Sequence, residues 1–504
     1  MSSTALVLTP QSRLSRNVVA NLVGVGWNGL LTIVATPFYI SLVGMEGYGL
    51  IGFWLVLQAV LALCDLGLGA TVLREFAASE GGPNGRDRRH DLLLTLEFVY
   101  WPIAGLLTGA LFLAGSWIGR HWLTVNSLTT SSVTSSVRWM AIAIGLQFPN
   151  ALYFSGLAGL QRQGRLNLLQ IAGNTLRHAG GVAILYWRPD PMWFFAVQTV
   201  VTGCQTLATR WMLWRVSDPD GVRRPQVRWA LVKDRWRFSA GMASTMIGGV
   251  LLANTDRLFL SKLLPATELG KYAVAWTAAG FLQLGVQPFY RAYFPRFAEL
   301  HAAGETGKLR AEYYQGCRIV AAFIVPFAII GWVFAPQIFT AWIGVADQTI
   351  VAVFRCLLVG VGAAGLMWLP AAFQQAQGWT RLHAAMILAA LVVGVPGLWW
   401  TIGRWGAAGA TAVWVLHGTS DLTVGLWLMH QRLLRGEFLA WWRSVILPPL
   451  VCALPLVALS WLLLPPGLDR WAVGGWLGAT ALVAMPIAVL CTGSFWRVRV
   501  LSQS

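Results

Sequence analysis

Apolar runs of about 20 residues, the length a helix needs to cross hydrocarbon, recur along the whole 504-residue chain and are separated by short polar breaks. They fall at roughly 17–43, 48–72, 91–115, 138–160, 168–187, 191–214, 237–263, 270–293, 316–338, 350–374, 381–402, 407–430, 444–464 and 472–493. The pattern predicts about 14 transmembrane helices. Short strictly alternating segments, which a membrane barrel requires, are absent, so the predicted fold class is an all-α integral membrane protein. The longest outer break, residues 116–137, is Ser/Thr-rich and contains no carboxylate, leaving no extramembrane domain to carry chemistry.

One break differs from the rest. VSDPDGVRRPQVRWALVKDRW, from Val216, is rich in Pro, Asp and Arg and divides the chain. The stretch after it repeats the stretch at the start. RFSAGMASTMIGGVLLANTDRLFLSKLLPATELGKYAVAW (Arg237 to Trp276) follows the plan of RNVVANLVGVGWNGLLTIVATPFYISLVGMEGYGLIGFW (Arg16 to Trp54): an arginine, a long apolar helix, a break, a restart at Gly, a Trp. Arg16 to Gly49 and Arg237 to Gly270 are equally spaced, with an offset of about 221 residues, the mark of an internal duplication. AGLQRQGRL (Ala158 to Leu166) and FQQAQGWTRL (Phe373 to Leu382) form a second echo. Six helices precede the break and six comparable ones follow, so the copies run parallel in the membrane. The expected organisation is a lobe over 1–214, a cytoplasmic linker over 215–236, a second lobe over 237–430, and a further helix pair with a tail over 431–504.

Composition agrees: 56% of residues are hydrophobic and 11% charged, against about 25% charged in soluble chains. The net charge of +17 needs no nucleic acid, because the basic residues sort by side. Arg13, Arg16, Arg74, Arg86, Arg88, Arg89, Arg162, Arg165, the Arg215–Arg237 cluster, Arg296, Lys308, Arg310, Arg381, Arg432, Arg435, Arg443, Arg497 and Arg499 flank the same ends of the helices. Roughly 27 basic residues fall on that side, about 7 on the other and about 3 within helices, which places both termini in the cytoplasm. The first apolar run is too long for a cleavable signal. All six cysteines sit in apolar runs, so no disulfide framework is expected. No zinc-spaced cluster, nucleotide signature or catalytic constellation appears, so neither metal, cofactor nor enzymatic activity is expected. Many of the 28 tryptophans lie near helix ends, Trp117, Trp187 and Trp405 among them, where interfacial anchoring accounts for them.

Ionisable groups inside hydrocarbon cost at least about 2.5–3.5 kcal/mol and usually face a cavity or a partner. Arg177 lies near the middle of the fifth helix. It reads as a cation able to grip a phosphate or pyrophosphate through its planar fork, or equally as part of a structural ion pair or hydrogen bond. His178, beside it, points elsewhere on the helix. His417 and Asp421, four residues apart in the twelfth helix, fit a proton-exchanging pair or a polar tie between helices. Asp256 and Arg257 are adjacent and so face different ways, with Arg257 expected toward a cavity and Asp256 toward a neighbouring helix. Arg355 reads as a rim cation or a snorkelling side chain, and Asp65 and Glu97 as helix-end and packing residues. The candidate site is therefore Arg177, Arg257 and Arg355 for substrate, and Asp421, His417 and Asp256 for ion coupling.

RNVVANLVGVGWNGLLTIVATPFYISLVGMEGYGLIGFWLVLQAVLALCDLGLGATVLREFA, TDRLFLSKLLPATELGKYAVAW and GLQRQGRLNLLQ resemble the polysaccharide-transporter branch of the multidrug/oligosaccharidyl-lipid/polysaccharide exporter superfamily, the Wzx-type flippases. The resemblance covers nearly the whole chain, although its motifs lie at helix ends and do not read out a substrate. It implies two six-helix lobes in a V around a central cationic cavity, with the C-terminal pair as the extra helices of some members. It also implies alternating-access movement of undecaprenyl-pyrophosphate-linked oligosaccharide from the inner to the outer leaflet of a bacterial cytoplasmic membrane, for exopolysaccharide, capsule or O-antigen. Implied partners are that lipid-linked oligosaccharide, membrane lipids, H⁺ or Na⁺, and polymerase and chain-length machinery. Placing Arg177 and Arg257 on the cavity rests on their depth, not on a family motif. The rival readings are a small-molecule or multidrug antiporter of the same fold and a membrane polysaccharide polymerase.

Overall fold

The computed structural model describes residues 10–65, 67–78, 85–217, 225–233 and 236–501. Of the basic residues that orient the chain, Arg223, Arg224 and Arg235 lie outside the described residues, as do the side chains of Arg13, Arg16, Arg86, Arg237, Arg497 and Arg499. Every element among the described residues is helical, apart from an isolated bridge between Thr124 and Pro265.

The first stretch comprises α1 (Pro10–Leu63), α2 (Leu68–Ala78), α3 (Gly85–Trp117), α4 (Thr130–Gly159), α5 (Gln163–Trp187), α6 (Pro191–Ser217) and the short α7 (Ala230–Lys233). The second comprises α8 (Trp236–Leu263), α9 (Ala266–Ala302), α10 (Thr306–Val333), α11 (Ala335–Ile343), α12 (Gln348–Leu366) and α13 (Trp368–Ala376). It continues through α14 (Arg381–Ala410), α15 (Ala412–Ser420), α16 (Leu426–Leu433), α17 (Phe438–Trp441), α18 (Leu447–Leu462) and α19 (Arg470–Leu501). Among the described residues, π-helical turns interrupt them at Ile118–Trp122, Asp421–Gly425 and Trp442–Ile446.

A 54-residue α1 would measure about 80 Å as one rod, far more than a hydrocarbon core of about 30 Å. It breaks at Gly44, whose φ of 71° and ψ of 174° belong to a region only glycine enters without strain. α14 breaks in the same manner at Gly406, with φ 58°. Elsewhere side chains set the ends. Thr129 caps α4 by accepting from the Ser132 amide, and Asp347 caps α12 by accepting from Thr349 and Ile350.

Each predicted apolar run lies mainly on helix. Eight helical segments among the described residues are long and apolar enough to cross a membrane: Gly24–Leu61, Asp87–Trp122, Thr130–Gly159, Thr306–Val333, Gln348–Ala376, Arg381–Ala410, Phe438–Leu462 and Arg470–Gly493. The chain is thus an all-helical, multi-pass membrane protein. α5 and α6 have the length but not the hydropathy. Among the residues that lower it are Asn174 and Arg177 on one and Gln198, Thr202 and Gln205 on the other, groups that meet one another in the site described below.

The chain forms two compact units, Met1–Val250 with Pro265–Thr267, and Leu251–Leu264 with Glu268–Ser504. In the first, α4 packs against α3, α6 and α2, and α5 against α1 and α6. In the second, α12 packs on α15 and α10, while α18 and α19 pack on each other and on α10. Ile330, Phe334, Val457 and Ala484 form the apolar core that binds this C-terminal pair to α10.

Candidate functional site

Arg177 projects from α5 toward the polar groups of its own helix and of α6. Its Nη1 donates to Asn174 Oδ1 at 3.1 Å, and its Nη2 to Gln205 Oε1 at 2.6 Å and Thr202 Oγ1 at 3.3 Å. The Arg177 carbonyl accepts from Gln198 Nε2 at 3.2 Å. Gly173 permits this approach, since a Cβ there would stand 2.9 Å from the Gln205 amide. All three guanidinium partners are neutral, and no carboxylate pairs with Arg177 among the described residues. Amide and hydroxyl dipoles therefore orient this cation and offset part of its desolvation, at about 1.5–3 kcal/mol per charge-assisted bond, without neutralising it. His178 instead meets Tyr39, whose hydroxyl lies 3.1 Å from Nδ1.

A second arginine of the same unit shows the contrast. Arg210 of α6 grips Glu97 of α3 with two bonds, Nε to Oε1 at 2.8 Å and Nη2 to Oε2 at 3.0 Å. The Tyr153 hydroxyl at 2.9 Å and Trp214 Nε1 at 3.0 Å also donate to Glu97 Oε1, and Trp101 Nε1 donates to Tyr153. Arg210 was not singled out in the sequence, where a lone Arg within an apolar run was the available signal and nothing tied it to Glu97. Asp65 accepts from the Tyr100 hydroxyl at 2.6 Å and the Gly69 amide at 3.1 Å, an attachment at a helix end.

In the second unit, Asp256 and Arg257 of α8 turn apart. Asp256 is fully buried and accepts from the Tyr272 hydroxyl, from Trp414 Nε1 at 3.1 Å and from the Arg257 amide at 2.8 Å. The Arg257 guanidinium lies over the Trp276 ring, 4.3 Å from its centroid, and its Nε has no hydrogen-bond partner. Trp276 in turn packs against Trp414, with ring centroids 4.9 Å apart. The two aromatic rings thus join both members of the pair: one covers the cation and the other bonds the carboxylate. The side chains of Asp256 and Arg257 themselves form no ion pair.

His417 and Asp421 are both buried, yet no hydrogen bond joins them, and His417 Nδ1 has no partner. Asp421 opens the π turn of Asp421–Gly425, which departs from the regular spacing that i, i+4 contact assumes. Gly425 lies close beneath it, where a Cβ would come within 2.5 Å of Asp421 Oδ1. Arg355 donates through Nε to the Trp332 carbonyl at 3.0 Å, with its guanidinium over the Trp332 ring. The structure therefore gathers Asp256, Arg257, Tyr272, Trp276 and Trp414 into one cluster and places Arg177, Arg355 and Asp421 in separate surroundings. No group of three or more His, Cys, Asp or Glu among the described residues could hold a metal ion.

Residues 14–301, more than half of the chain, match the family described as polysaccharide biosynthesis protein. The chain belongs to that family. Residues 242–400 of this family member also match the MatE family. A Shigella flexneri protein named "Putative O-antigen transporter" is 22% identical over 421 residues, covering 82% of this chain and 97% of the relative. Among solved structures, the lipid II flippase MurJ in an inward closed conformation has a TM-score of 0.70 at 11% identity, covering 96% of this chain and all of that one. An inward-facing multidrug resistance MATE transporter has a TM-score of 0.64 at 14% identity, covering 80% and 94%. At such identities the likeness shows the fold: this family member has the architecture of the multidrug/oligosaccharidyl-lipid/polysaccharide exporter superfamily. The resemblance carried by the helix-end motifs is thereby confirmed.

Proposed function

We propose that the chain is a flippase that moves an undecaprenyl-pyrophosphate-linked oligosaccharide from the inner to the outer leaflet of a bacterial cytoplasmic membrane by alternating access. On this reading it has about 14 spans, both termini are cytoplasmic, and it serves exopolysaccharide, capsule or O-antigen synthesis. Family membership and the name of the Shigella flexneri relative support this cargo class. The observation that carries the reading is Arg177, a largely buried cation held in orientation by neutral groups alone. A pyrophosphate cannot enter hydrocarbon unaided, and an uncompensated guanidinium offers it planar, charge-assisted bonds. Arg257, covered by Trp276 rather than neutralised by Asp256, supplies a second cation, and Arg355 a third. Arg177→Ala, with expression confirmed, should cut surface polysaccharide output at least about tenfold, the equivalent of losing one charge-assisted bond to the substrate. Normal output from that variant would remove Arg177 from the mechanism.

Asp421, His417 and Asp256 are the proposed coupling groups, with H⁺ or Na⁺ as the driving ion. Asp421 is buried without a bonding partner, so protonation or ion binding changes its energy more than that of a paired carboxylate. In vesicles, Asp421→Asn should lose most gradient-driven transport. Full retention would discard this assignment. The match to the MatE family favours a second reading, a small-molecule antiporter, which predicts drug efflux and unchanged surface polysaccharide when the chain is deleted.

A further inference from the structure

The first unit carries a furrow that the transport reading does not use. On α3, Phe98, Trp101, Gly105, Gly109 and Leu113 recur at helical spacing and share one face. Two cavities open along it, of about 590 and 610 Å³, and Trp101 lines both. The furrow exists because α3 presents small residues there. At Gly105 and at Gly109 a Cβ would meet nothing within 4 Å. From Glu97 to Leu113 the furrow runs about 24 Å along the helix axis, more than the half-thickness of a hydrocarbon core of about 30 Å.

Its surroundings identify what can reach it. Only 17% of the apolar window of this span is buried within the protein, so most of the helix is left uncovered by protein, and for a membrane-spanning chain lipid is the available occupant. One end is not apolar. There Arg210, with its side chain 43% exposed, lines the cavity, while Glu97, 7% exposed, is saturated by Arg210, Tyr153 and Trp214. Glu97 engages Nε and Nη2 and so fixes the guanidinium plane beside the furrow. A cation presented at one end of an apolar trough about one acyl chain long matches a phosphodiester with its hydrocarbon tail.

We propose that the α3–α6 furrow is a binding site for a bilayer phospholipid, with its phosphate on Arg210 and one acyl chain laid along Trp101, Gly105 and Gly109. Glu97 is a positioning residue that aims Arg210. The occupant is a membrane phospholipid rather than the transported prenyl lipid, because the site lies within one unit and needs no passage of a head group.

The test is native mass spectrometry of the full chain in detergent, with phosphatidylglycerol or diacylglycerol as the added probe. The wild type should retain one phosphatidylglycerol about fivefold more strongly than diacylglycerol, the factor that about 1 kcal/mol for one basic contact corresponds to. Gly105→Leu/Gly109→Leu fills the furrow where space is open and should abolish retention of both lipids while the protein still elutes as a folded species. Arg210→Lys keeps the charge but not the fork and should reduce only the phosphatidylglycerol preference. Equal retention of the two probes by the wild type would overturn the proposal, as would unchanged retention by the double glycine variant. Displacement of phosphatidylglycerol by undecaprenyl phosphate at equal concentration would assign the furrow to the cargo instead and overturn it too.

Discussion

Two arginines of the first unit define opposite ways of keeping a guanidinium in a membrane. Arg210 is held by a carboxylate, and Arg177 by two amides and a hydroxyl. The first pairs the charge with a carboxylate; the second leaves it without one. Glu97→Gln should therefore destabilise the chain, because Arg210 loses its countercharge and the oxygen that accepts from its Nη2. The cost lies between an exposed pair, about 0.2–1 kcal/mol, and a broken buried one, about 3–5 kcal/mol. With Arg210 43% exposed, about 1–2 kcal/mol is expected, measured as a lower Tm in detergent. Adding Arg210→Gln should cost less than a second independent loss, and full additivity of the two changes would show that they do not act as a pair. Part of this residue-scale picture was open to sequence reading. Arg177 and Thr202 stand nearly equidistant from the turn at Arg188–Asp190, so antiparallel α5 and α6 must bring them level. Glu97 and Arg210, far apart with another helix pair between them, gave no such cue, because apolar periodicity records depth and not partners.

At the scale of elements, hydropathy located the helices, and the glycines at 44 and 406 coincide with the breaks that the apolar runs left between 43 and 48 and between 402 and 407. Hydropathy did not reveal the π turns. A single inserted residue leaves composition unchanged, so the four-residue spacing of His417 and Asp421 suggested a contact that the structure does not make. Helix ends outside the membrane were also invisible as interactions. Asp347 caps α12 and binds Lys271 Nζ at 3.1 Å, joining the start of α9 to that of α12. Burial pushes the Asp347 carboxyl up, but the bonds from Lys271, Ile350 and Thr349 together outweigh it and hold the group below the usual carboxylate range. A carboxyl lowered on folding stabilises at and above its unfolded pKa of about 3.9 and loses that contribution as pH falls through the lower folded value. Asp347→Ala should consequently cost about 1 kcal/mol near neutral pH. The difference in Tm from the wild type should shrink below about pH 4. A deficit that stays constant down to pH 3 would show that the charge of Asp347 contributes nothing.

At the scale of the whole molecule, the architecture is shared with transporters at 11–14% identity, and the sequence echoes itself between Arg16–Trp54 and Arg237–Trp276. What the repeat does not share is charge. Asp256 and Arg257 sit in the second copy, where the first has the uncharged TIVATPFYI, and the aromatic cluster of Tyr272, Trp276 and Trp414 exists to hold them. The all-helical membrane fold was legible because apolar runs of membrane-crossing length are written into the sequence. The family was legible through the helix-end motifs, none of which reads out a cargo.

The central claim is that this chain carries a pyrophosphate-linked glycan across the bilayer with Arg177 in its path. The most direct test is a leaflet-resolved assay of lipid-linked oligosaccharide in cells lacking the chain and in the same cells expressing Arg177→Ala. Intermediates should accumulate on the cytoplasmic leaflet in both strains and clear when the wild-type chain is restored. Intermediates that reach the outer leaflet at the wild-type rate without the chain would contradict the account.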